Sequence, residues 1–225
     1  MSINKIVFDF GGVLCDFRFK EHLLNAGYSN EEVEYLNKNV FNGPEIEIAE
    51  GTGKITRDEV FQILYKKFPE KAGVLKFIQS SDLRHILPLR PNVIEYTKEL
   101  RKQGFKVYGL SNLSKAAHDT FKQQYAGFDD LFDGLTASYL VGAIKPHSHA
   151  DPDKAGDTTI YKRFFKDNNI VPSTALFIDD KECNIKMSQA LGMAGIQWTD
   201  TDTLETIKAK VTQAISRSKL DTKGV

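Results

Sequence analysis

Four groups of polar residues in this chain follow apolar runs that are typical of buried strands, and they are the natural candidates for chemistry. The groups are Asp9; Ser111 with Asn112; Lys145; and Asp179 with Asp180. In a parallel sheet the loops after the strands open on one edge, so residues far apart in the sequence can surround one ligand there. We therefore predict a single polar site.

The residue types complement one another for chemistry on a phosphate group. The Asp9 carboxylate could attack phosphorus and form an aspartyl-phosphate, provided that a cation removes the repulsion between two anions. Asp9 and Asp180 are hard oxygen donors that could hold Mg²⁺, while Asp179 would orient a metal-bound water without binding the ion itself. The Lys145 cation would offset the remaining negative charge.

Hydrogen-bond donors complete the predicted site. The Ser111 hydroxyl and the Asn112 amide would donate to phosphoryl oxygens, and the two glycines after Phe10 allow backbone amides to approach an anion closely. The predicted phosphate-binding set is Phe10, Gly11, Ser111, Asn112 and Lys145. Asp9 and Lys145 are the predicted catalytic pair.

Each group also has a plainer interpretation. Asp9 alone could cap a turn, Ser111 with Asn112 could cap a helix, and Lys145 could be a solvated lysine. An acidic pair at the end of a buried strand is a poor choice for stability, so the aspartates at 179 and 180 are the most informative. The order of all four groups favours the functional interpretation.

The elements that must position these groups alternate between strand and helix. Predicted strands cover Ile6–Phe8, Lys106–Leu110, Leu135–Leu140, Ala175–Ile178 and Gly195–Trp198. Predicted helices cover Val93–Gln103, Lys115–Tyr125, Thr159–Asp167 and Asn184–Leu191. A further amphipathic helix is expected over Thr203–Ser216, followed by a frayed tail over Lys219–Val225. This pattern predicts an α/β, Rossmann-like fold with a parallel sheet and right-handed crossovers.

The stretch 17–89 departs from this alternation, because it carries helix signals and no convincing strand. Ser29 with Glu32 and Thr56 with Glu59 have the spacing of capping boxes. Val60, Phe61, Leu64 and Tyr65 form an apolar helical stripe, and the aromatic residues Phe41, Phe61, Tyr65 and Phe68 are expected to build a local core. We predict a helical cap domain at 17–89 inserted in a core domain of 1–16 and 90–225.

Composition limits the class of partner. Lys plus Arg and Asp plus Glu each total 30, so no net positive field favours nucleic acid or an anionic membrane. The N-terminus shows no signal-peptide pattern, and no apolar run could span a bilayer. Cys15 and Cys183 cannot form a disulfide framework. We expect a cytoplasmic protein that binds a small phosphorylated substrate; its oligomeric state is left open.

Three features near the predicted site have open interpretations. Asp16 could face the cavity or cap the first cap helix, and the two cysteines are expected to be packing residues rather than redox groups. The segment Lys145–Asp157 contains two histidines and three aspartates that could bind a metal ion, but a mobile polar loop is the favoured interpretation.

The ordered motifs resemble those of the haloacid dehalogenase superfamily. The residues that carry the resemblance are Val7-Phe8-Asp9-Phe10-Gly11-Gly12-Val13-Leu14, Leu110-Ser111-Asn112, Lys145-Pro146, and Phe177-Ile178-Asp179-Asp180 with Asn184. The helical insert falls where that superfamily places its C1 cap. The resemblance implies a nucleophilic Asp9, Mg²⁺ on Asp9, the Gly11 carbonyl and Asp180, and phosphate contacts from Ser111, Asn112 and Lys145. Within the superfamily the chain is similar to the bacterial glucose-1-phosphate phosphatase branch, through Gly11 and Leu89-Arg90-Pro91.

One departure from the family pattern concerns the general acid. Most phosphatases of this superfamily carry an Asp two residues after the nucleophile, where it protonates the leaving oxygen, and here that residue is Gly11. A leaving group that needs little protonation, such as an anomeric sugar hydroxyl, would compensate. The alternatives are a 2-haloacid dehalogenase-like hydrolase, or a catalytically weak phosphate-binding regulatory module.

Overall fold

The computed structural model describes residues 2–41, 51–146 and 159–221, and these residues contain a five-stranded parallel sheet. The strands are β1 (Lys5–Phe8), β2 (Lys106–Ser111), β3 (Gly134–Ala137), β4 (Ala175–Asp179) and β5 (Ala194–Gln197). Their order across the sheet is β3-β2-β1-β4-β5. The predicted α/β, Rossmann-like fold class is confirmed.

Helices cover both faces of this sheet and build the insert between β1 and β2. They are α1 (Phe19–Asn25), α2 (Asn30–Leu36), α3 (Arg57–Lys67), α4 (Ala72–Ser80), α5 (Leu83–Ile86), α6 (Pro91–Lys102), α7 (Lys115–Gln124), α8 (Ser138–Val141), α9 (Thr159–Asp167), α10 (Glu182–Ala190) and α11 (Leu204–Asp221). A π-helical turn, Asn37–Phe41, follows α2. None of the described helices has the length and apolar character needed to cross a bilayer.

The central strand β1 is apolar in successive residues because both of its faces are buried. Ile6 and Phe8 pack into the apolar cluster that includes residues of α6 and α11. Val7 points into a second cluster with Tyr108 and Phe177, its partners on β2 and β4. Burial on both faces holds the carboxyl end of β1 in the middle of the sheet edge.

The third strand is shorter than the run Leu135–Leu140 predicts. Strand β3 ends at Ala137, and α8 begins at Ser138, whose side chain is fully buried. The Ser138 hydroxyl accepts a hydrogen bond from the Leu113 amide at 2.9 Å and contacts the Leu113 carbonyl oxygen at 3.2 Å. These side-chain bonds take the place of further strand pairing, so the chain turns into a helix.

The last helix is longer than predicted. Helix α11 runs to Asp221, so Lys219 to Asp221 belong to a helix and not to a frayed tail. One face of the helix packs on the sheet through Ile207, Val211 and Ile215, and the Ser218 hydroxyl accepts a hydrogen bond from the Ile3 amide. Residues 222–225 lie outside the described part of the chain.

The inserted helices α1 to α5 share an apolar cluster of their own. Phe61 is buried in it, and Tyr65 and Phe68 pack against it, as expected for a local core; the side chain of Phe41 lies outside the described residues. Thr56 and Glu59 form both hydrogen bonds of a capping box. Ser29 caps α2 by accepting from the Glu32 amide.

Two antiparallel linkers join the insert to the sheet. The Asp16 amide donates to the Pro88 carbonyl oxygen at 3.0 Å, and the Arg18 amide donates to the Ile86 carbonyl oxygen at 2.8 Å. Further along, the Arg90 amide donates to the Leu14 carbonyl oxygen at 2.8 Å. The chain therefore enters and leaves the insert side by side, close to the end of β1.

Candidate active site

The four predicted groups meet at the carboxyl edge of the sheet. Asp9 directly follows β1, Ser111 ends β2, Asp179 ends β4 and Lys145 follows α8. Asp9, Ser111, Asn112, Lys145 and Asp180 border a cavity of about 920 Å³ that lies between this edge and the inserted helices. The topology therefore brings together residues that are separated by up to 170 positions in the sequence.

Lys145 is the cation at the centre of the site. Its Nζ lies 2.8 Å from Asp9 Oδ1 and 2.6 Å from Asp179 Oδ2, and its side chain is 1% exposed. Burial disfavours the ammonium form, but the two carboxylates outweigh burial and raise the Lys145 pKa above its usual value. Lys145 is therefore a permanent positive charge against the nucleophile candidate.

Asp179 already has hydrogen-bond donors on both carboxylate oxygens. Oδ1 accepts from the Lys181 amide at 2.8 Å and from Asn184 Nδ2 at 2.9 Å, while Oδ2 accepts from Lys145 and from the same Asn184 nitrogen. A carboxylate bonded in this way is suited to holding its neighbours in place rather than binding an ion. This geometry agrees with the positioning role predicted for Asp179.

Asp9 and Asp180 are better placed to hold a cation. One oxygen from each of Asp9, Asp179 and Asp180 lies within 4.8 Å of the others. Asp9 Oδ1 accepts from the Phe10 amide and contacts Lys145, and the Ser111 hydroxyl also lies within hydrogen-bond reach of the Asp9 carboxylate. The donor set consists of hard oxygens and fits a divalent ion such as Mg²⁺.

The pKa values of Asp9 and Asp180 are both raised. Burial raises the pKa of Asp9 to about 6; the negative charge of Asp179 adds to this increase, while Lys145 and the Ser111 hydroxyl oppose it. Burial and the charge of Asp9 also raise the pKa of Asp180. A divalent cation between Asp9 and Asp180 would relieve this repulsion.

The loop after β1 has two glycines with different surroundings. Gly12 has φ +73°, and a Cβ there would lie 2.8 Å from Asp180 Cγ, so a side chain would collide with the acidic pair. A Cβ at Gly11 would meet no atom within 4 Å. The position at which most superfamily phosphatases carry the general acid is therefore open space beside the nucleophile candidate.

The predicted phosphate donors are all near the cavity, but some are engaged with other groups. The Asn112 side chain accepts from the Lys145 amide at 2.6 Å and donates to the Lys145 carbonyl oxygen at 3.2 Å, so it fixes the backbone that carries the lysine. The Phe10 ring packs on Phe121, Phe128 and Phe132, and its amide already donates to Asp9. A phosphate contact from Phe10 would require the exchange of that bond.

The inserted helices supply the opposite wall of the cavity. This wall includes Phe17, Arg18, Glu21, Arg57, Ile78 and Leu83. Phe17 is 65% exposed although it is a large aromatic residue. The wall therefore mixes aromatic and aliphatic surface with both signs of charge.

Asp16 does not cap the first inserted helix, which was one of its two predicted roles. Residue Arg18 holds the N-cap position of α1, and the Asp16 carboxylate pairs with Arg90 at 2.6 Å and with Arg18 at 2.9 Å. Asp16 also borders the cavity, which was the other predicted role. Both cysteines are free, and residues 147–157 of the polar loop lie outside the described residues.

Two residues of the site were not among the predicted functional residues. Asn184 is fully buried and donates to both oxygens of Asp179, while its carbonyl oxygen accepts from Tyr161. It lies five residues after Asp179 in the sequence, and this spacing alone does not indicate the contact. Arg90, on the second linker, also borders the cavity. Its guanidinium is held there by the Asp16 carboxylate, a contact that the sequence does not indicate.

Comparisons of the sequence with known proteins agree on one family. Residues 3–192 match the model of the haloacid dehalogenase-like hydrolases. A D-ribitol-5-phosphate phosphatase from Bacteroides thetaiotaomicron is 29% identical over 210 residues, which cover 87% of this chain and 91% of the relative.

Solved structures share the fold. A HAD family enzyme from B. thetaiotaomicron, in complex with magnesium and inorganic phosphate, has a TM-score of 0.65 and 21% identity, and the match covers 91% of this chain and 98% of that chain. An L-2-haloacid dehalogenase from Xanthobacter autotrophicus, with chloropropionic acid covalently bound, has a TM-score of 0.60 and 18% identity, with 94% and 83% of the two chains covered.

Proposed function

Because this chain belongs to the haloacid dehalogenase-like hydrolase family, we propose that it is a magnesium-dependent phosphatase of a small phosphorylated metabolite. The observation that carries the proposal is the pair of carboxylates Asp9 and Asp180, which have oxygens within 4.8 Å of each other and outnumber the buried Lys145 ammonium beside them. The phosphatase relative and the structural neighbour with magnesium and phosphate support it.

The reaction begins with attack by the Asp9 carboxylate on phosphorus. A bond from an Asp9 oxygen to phosphorus forms while the bond from phosphorus to the ester oxygen breaks, and the electron pair leaves with the ester oxygen, which takes a proton from solvent. Lys145 stays against Asp9 Oδ1 and offsets the charge on the transferring group. Water then attacks phosphorus, the bond from phosphorus to the Asp9 oxygen breaks, and inorganic phosphate leaves as the carboxylate is regenerated and the proton of the water passes to solvent. Bound Mg²⁺, held by Asp9, Asp180 and the Gly11 carbonyl, would supply charge neutralisation.

The substrate is inferred from the open space beside Gly11. With no carboxylic acid at this position, the leaving oxygen receives no proton from the usual group, so esters with good leaving groups are favoured. An anomeric sugar phosphate is such an ester, which agrees with the resemblance to the glucose-1-phosphate phosphatase branch. Faster turnover of sugar 1-phosphates than of sugar 6-phosphates is expected; a clear preference for the 6-phosphates would contradict this part of the proposal.

The test of the reaction is Asp9→Asn, assayed for phosphate release from an aryl phosphate with and without Mg²⁺. The variant keeps the size of the side chain but loses the nucleophile, so Mg²⁺-dependent turnover is expected to fall to background. Asp119→Asn is the matched control, because Asp119 is an exposed residue of α7 that pairs with Lys115. Retention of activity in Asp9→Asn would refute the nucleophile assignment.

A dehalogenase reaction is the second candidate, and it is favoured by the missing acid at Gly11. The acidic pair argues against it, because that reaction uses no metal and Asp180 would then be a half-buried carboxylate with a raised pKa and no purpose. Turnover of a 2-haloacid that is independent of Mg²⁺ would establish it. A regulatory phosphate-binding module would show neither activity, even with an aryl phosphate that needs no general acid.

A further inference from the structure

The side chain of Arg90 connects three parts of the molecule around the site. Its Nε lies 2.6 Å from Asp16 Oδ1 on the first linker, and its Nη1 donates to the Gly12 carbonyl oxygen at 2.8 Å. The guanidinium also lies over the ring of Trp198, which follows β5, at 5.4 Å from the centroid. Arg90 itself ends the second linker and precedes α6.

The bond to Gly12 reaches the wall of the proposed metal site. Gly12 is packed so closely against Asp180 that a Cβ would overlap its carboxylate. A shift of the Gly12 backbone would therefore displace the neighbouring Gly11 carbonyl and press against the Asp180 carboxylate. Arg90 restrains this loop through its bond to Gly12 and through a second, longer contact of Nη1 to the Val13 carbonyl oxygen at 3.4 Å.

The bond to Asp16 joins the two linkers through their side chains. The backbone hydrogen bonds between residues 14–18 and 86–90 already pair these segments, and the Arg90–Asp16 ion pair adds a contact that is only about one-quarter to one-third exposed. A guanidinium can donate to a carboxylate and to carbonyl oxygens in fixed directions at the same time, which a lysine ammonium on a flexible stem does less well.

We propose that Arg90 is a positioning residue that couples the placement of the inserted helices to the geometry of the nucleophile loop and its metal site. This proposal rests on the proposed function for its catalytic consequence. Its structural part stands on contacts to Gly12, Asp16 and Trp198 alone. Arg90 also borders the cavity, so direct contact with the substrate is the competing role.

The test compares Arg90→Gln and Arg90→Lys with the wild type by three measurements. They are Mg²⁺ binding by calorimetry, tryptophan emission of the metal-free protein, and kcat and KM with an aryl phosphate. Trp198 is the single tryptophan of the chain, so the emission reports directly on the Arg90 contact. Arg163→Gln is the matched control, because Arg163 forms an exposed pair with Asp167 on α9.

Arg90→Gln is expected to weaken Mg²⁺ binding by about 10- to 100-fold, as the loss of a residue that orients metal ligands does. It should also shift the Trp198 emission to longer wavelength and lower kcat more than it raises KM. Arg90→Lys should fall between Arg90→Gln and the wild type in all three measurements. Should Arg90→Gln fail to fold, wild-type Mg²⁺ affinity and emission in Arg90→Lys would overturn the proposal.

Other outcomes separate this proposal from the proposed function. A raised KM with unchanged kcat, Mg²⁺ affinity and emission would assign Arg90 to substrate binding and overturn the positioning role. If the wild type binds no Mg²⁺ and hydrolyses no phosphate ester, the proposed function fails. Hydrogen exchange at residues 10–16 then decides the structural part: faster exchange in Arg90→Gln would support it, and unchanged exchange would refute it.

Discussion

Lys145 and Asp9 show how a buried site can hold more negative than positive charge. One ammonium contacts two carboxylates, and a third carboxylate, Asp180, lies nearby with a raised pKa. A protein without a further cation would carry this repulsion as a cost of folding. The proposed Mg²⁺ would remove the cost only when the carboxylates are ionised, so binding of the ion and loss of protons are linked.

The pH dependence of Mg²⁺ binding tests this linkage. The pKa of Asp9 is raised to about 6, so in the metal-free protein the ionised fraction falls as the pH drops through that value. Protons then compete with the ion, and Mg²⁺ affinity should be about tenfold lower at pH 5 than at pH 7. Calorimetric titration at the two pH values measures it, with circular dichroism as a check on folding. Equal affinities would show that Asp9 is not a ligand that titrates in this range.

The two neighbouring glycines allow a paired substitution. Gly11→Asp should be accommodated and place an acid beside the leaving group, which raises turnover of sugar 6-phosphates by up to about 10²- to 10⁴-fold. Turnover of an aryl phosphate should change far less, because its leaving group needs no proton. Gly12→Ala should lose activity with every ester, because its Cβ meets Asp180 and its φ is positive. A folded Gly11→Asp variant with no gain on 6-phosphates would contradict the leaving-group argument.

At the scale of elements, the centres of strands and helices could be predicted, and some ends, such as those of β3 and α11, could not. Apolar runs such as Ile6–Phe8 are unambiguous because both faces of the strand are buried. The end of β3 depends instead on a hydrogen bond from the Leu113 amide to the Ser138 hydroxyl, between residues 25 positions apart. The length of α11 likewise depends on packing and on the contact of Ser218 with Ile3.

The same distinction applies to the candidate site. The convergence of Asp9, Ser111 and Asp179 follows from a parallel sheet, because every strand delivers its last residues to one edge. Lys145 reaches the same edge by way of α8, which follows β3. The contacts of Arg90 with the Gly12 carbonyl and of Asn112 with the Lys145 amide cannot be predicted from the sequence, since only the folded loops bring these backbone groups near. Sequence patterns therefore predict which residues meet and leave open how the site is held together.

Ser138→Ala tests the importance of the hydrogen bonds at the end of β3. The substitution leaves the Leu113 amide without its buried partner, so the free energy of unfolding should fall by about 1–3 kcal/mol. Urea denaturation measures the change. Ser80→Ala is the matched control, since the Ser80 hydroxyl donates to the Phe77 carbonyl oxygen at the surface, and it should alter stability by less than about 0.5 kcal/mol. Equal effects of the two substitutions would show that burial of Ser138 contributes nothing.

At the scale of the whole molecule, the sheet supplies the reacting groups and the inserted helices supply the facing wall. The apolar cluster of α1 to α5 is separate from the two clusters that cover the sheet, so each part has its own packing. The cavity between them is lined by residues of both parts. The two sides of the cavity therefore come from different stretches of the chain.

The side-by-side linkers have a consequence for how such a chain can diversify. Because the segment 17–89 leaves and rejoins the sheet at neighbouring points, it can be exchanged as a cassette without redirecting any strand. Grafting the corresponding segment of a relative between Asp16 and Arg90 would exchange the facing wall of the cavity while Asp9 and Lys145 stay in place. Recombination at these two junctions would change the groups that face a ligand without changing the residues at the edge of the sheet.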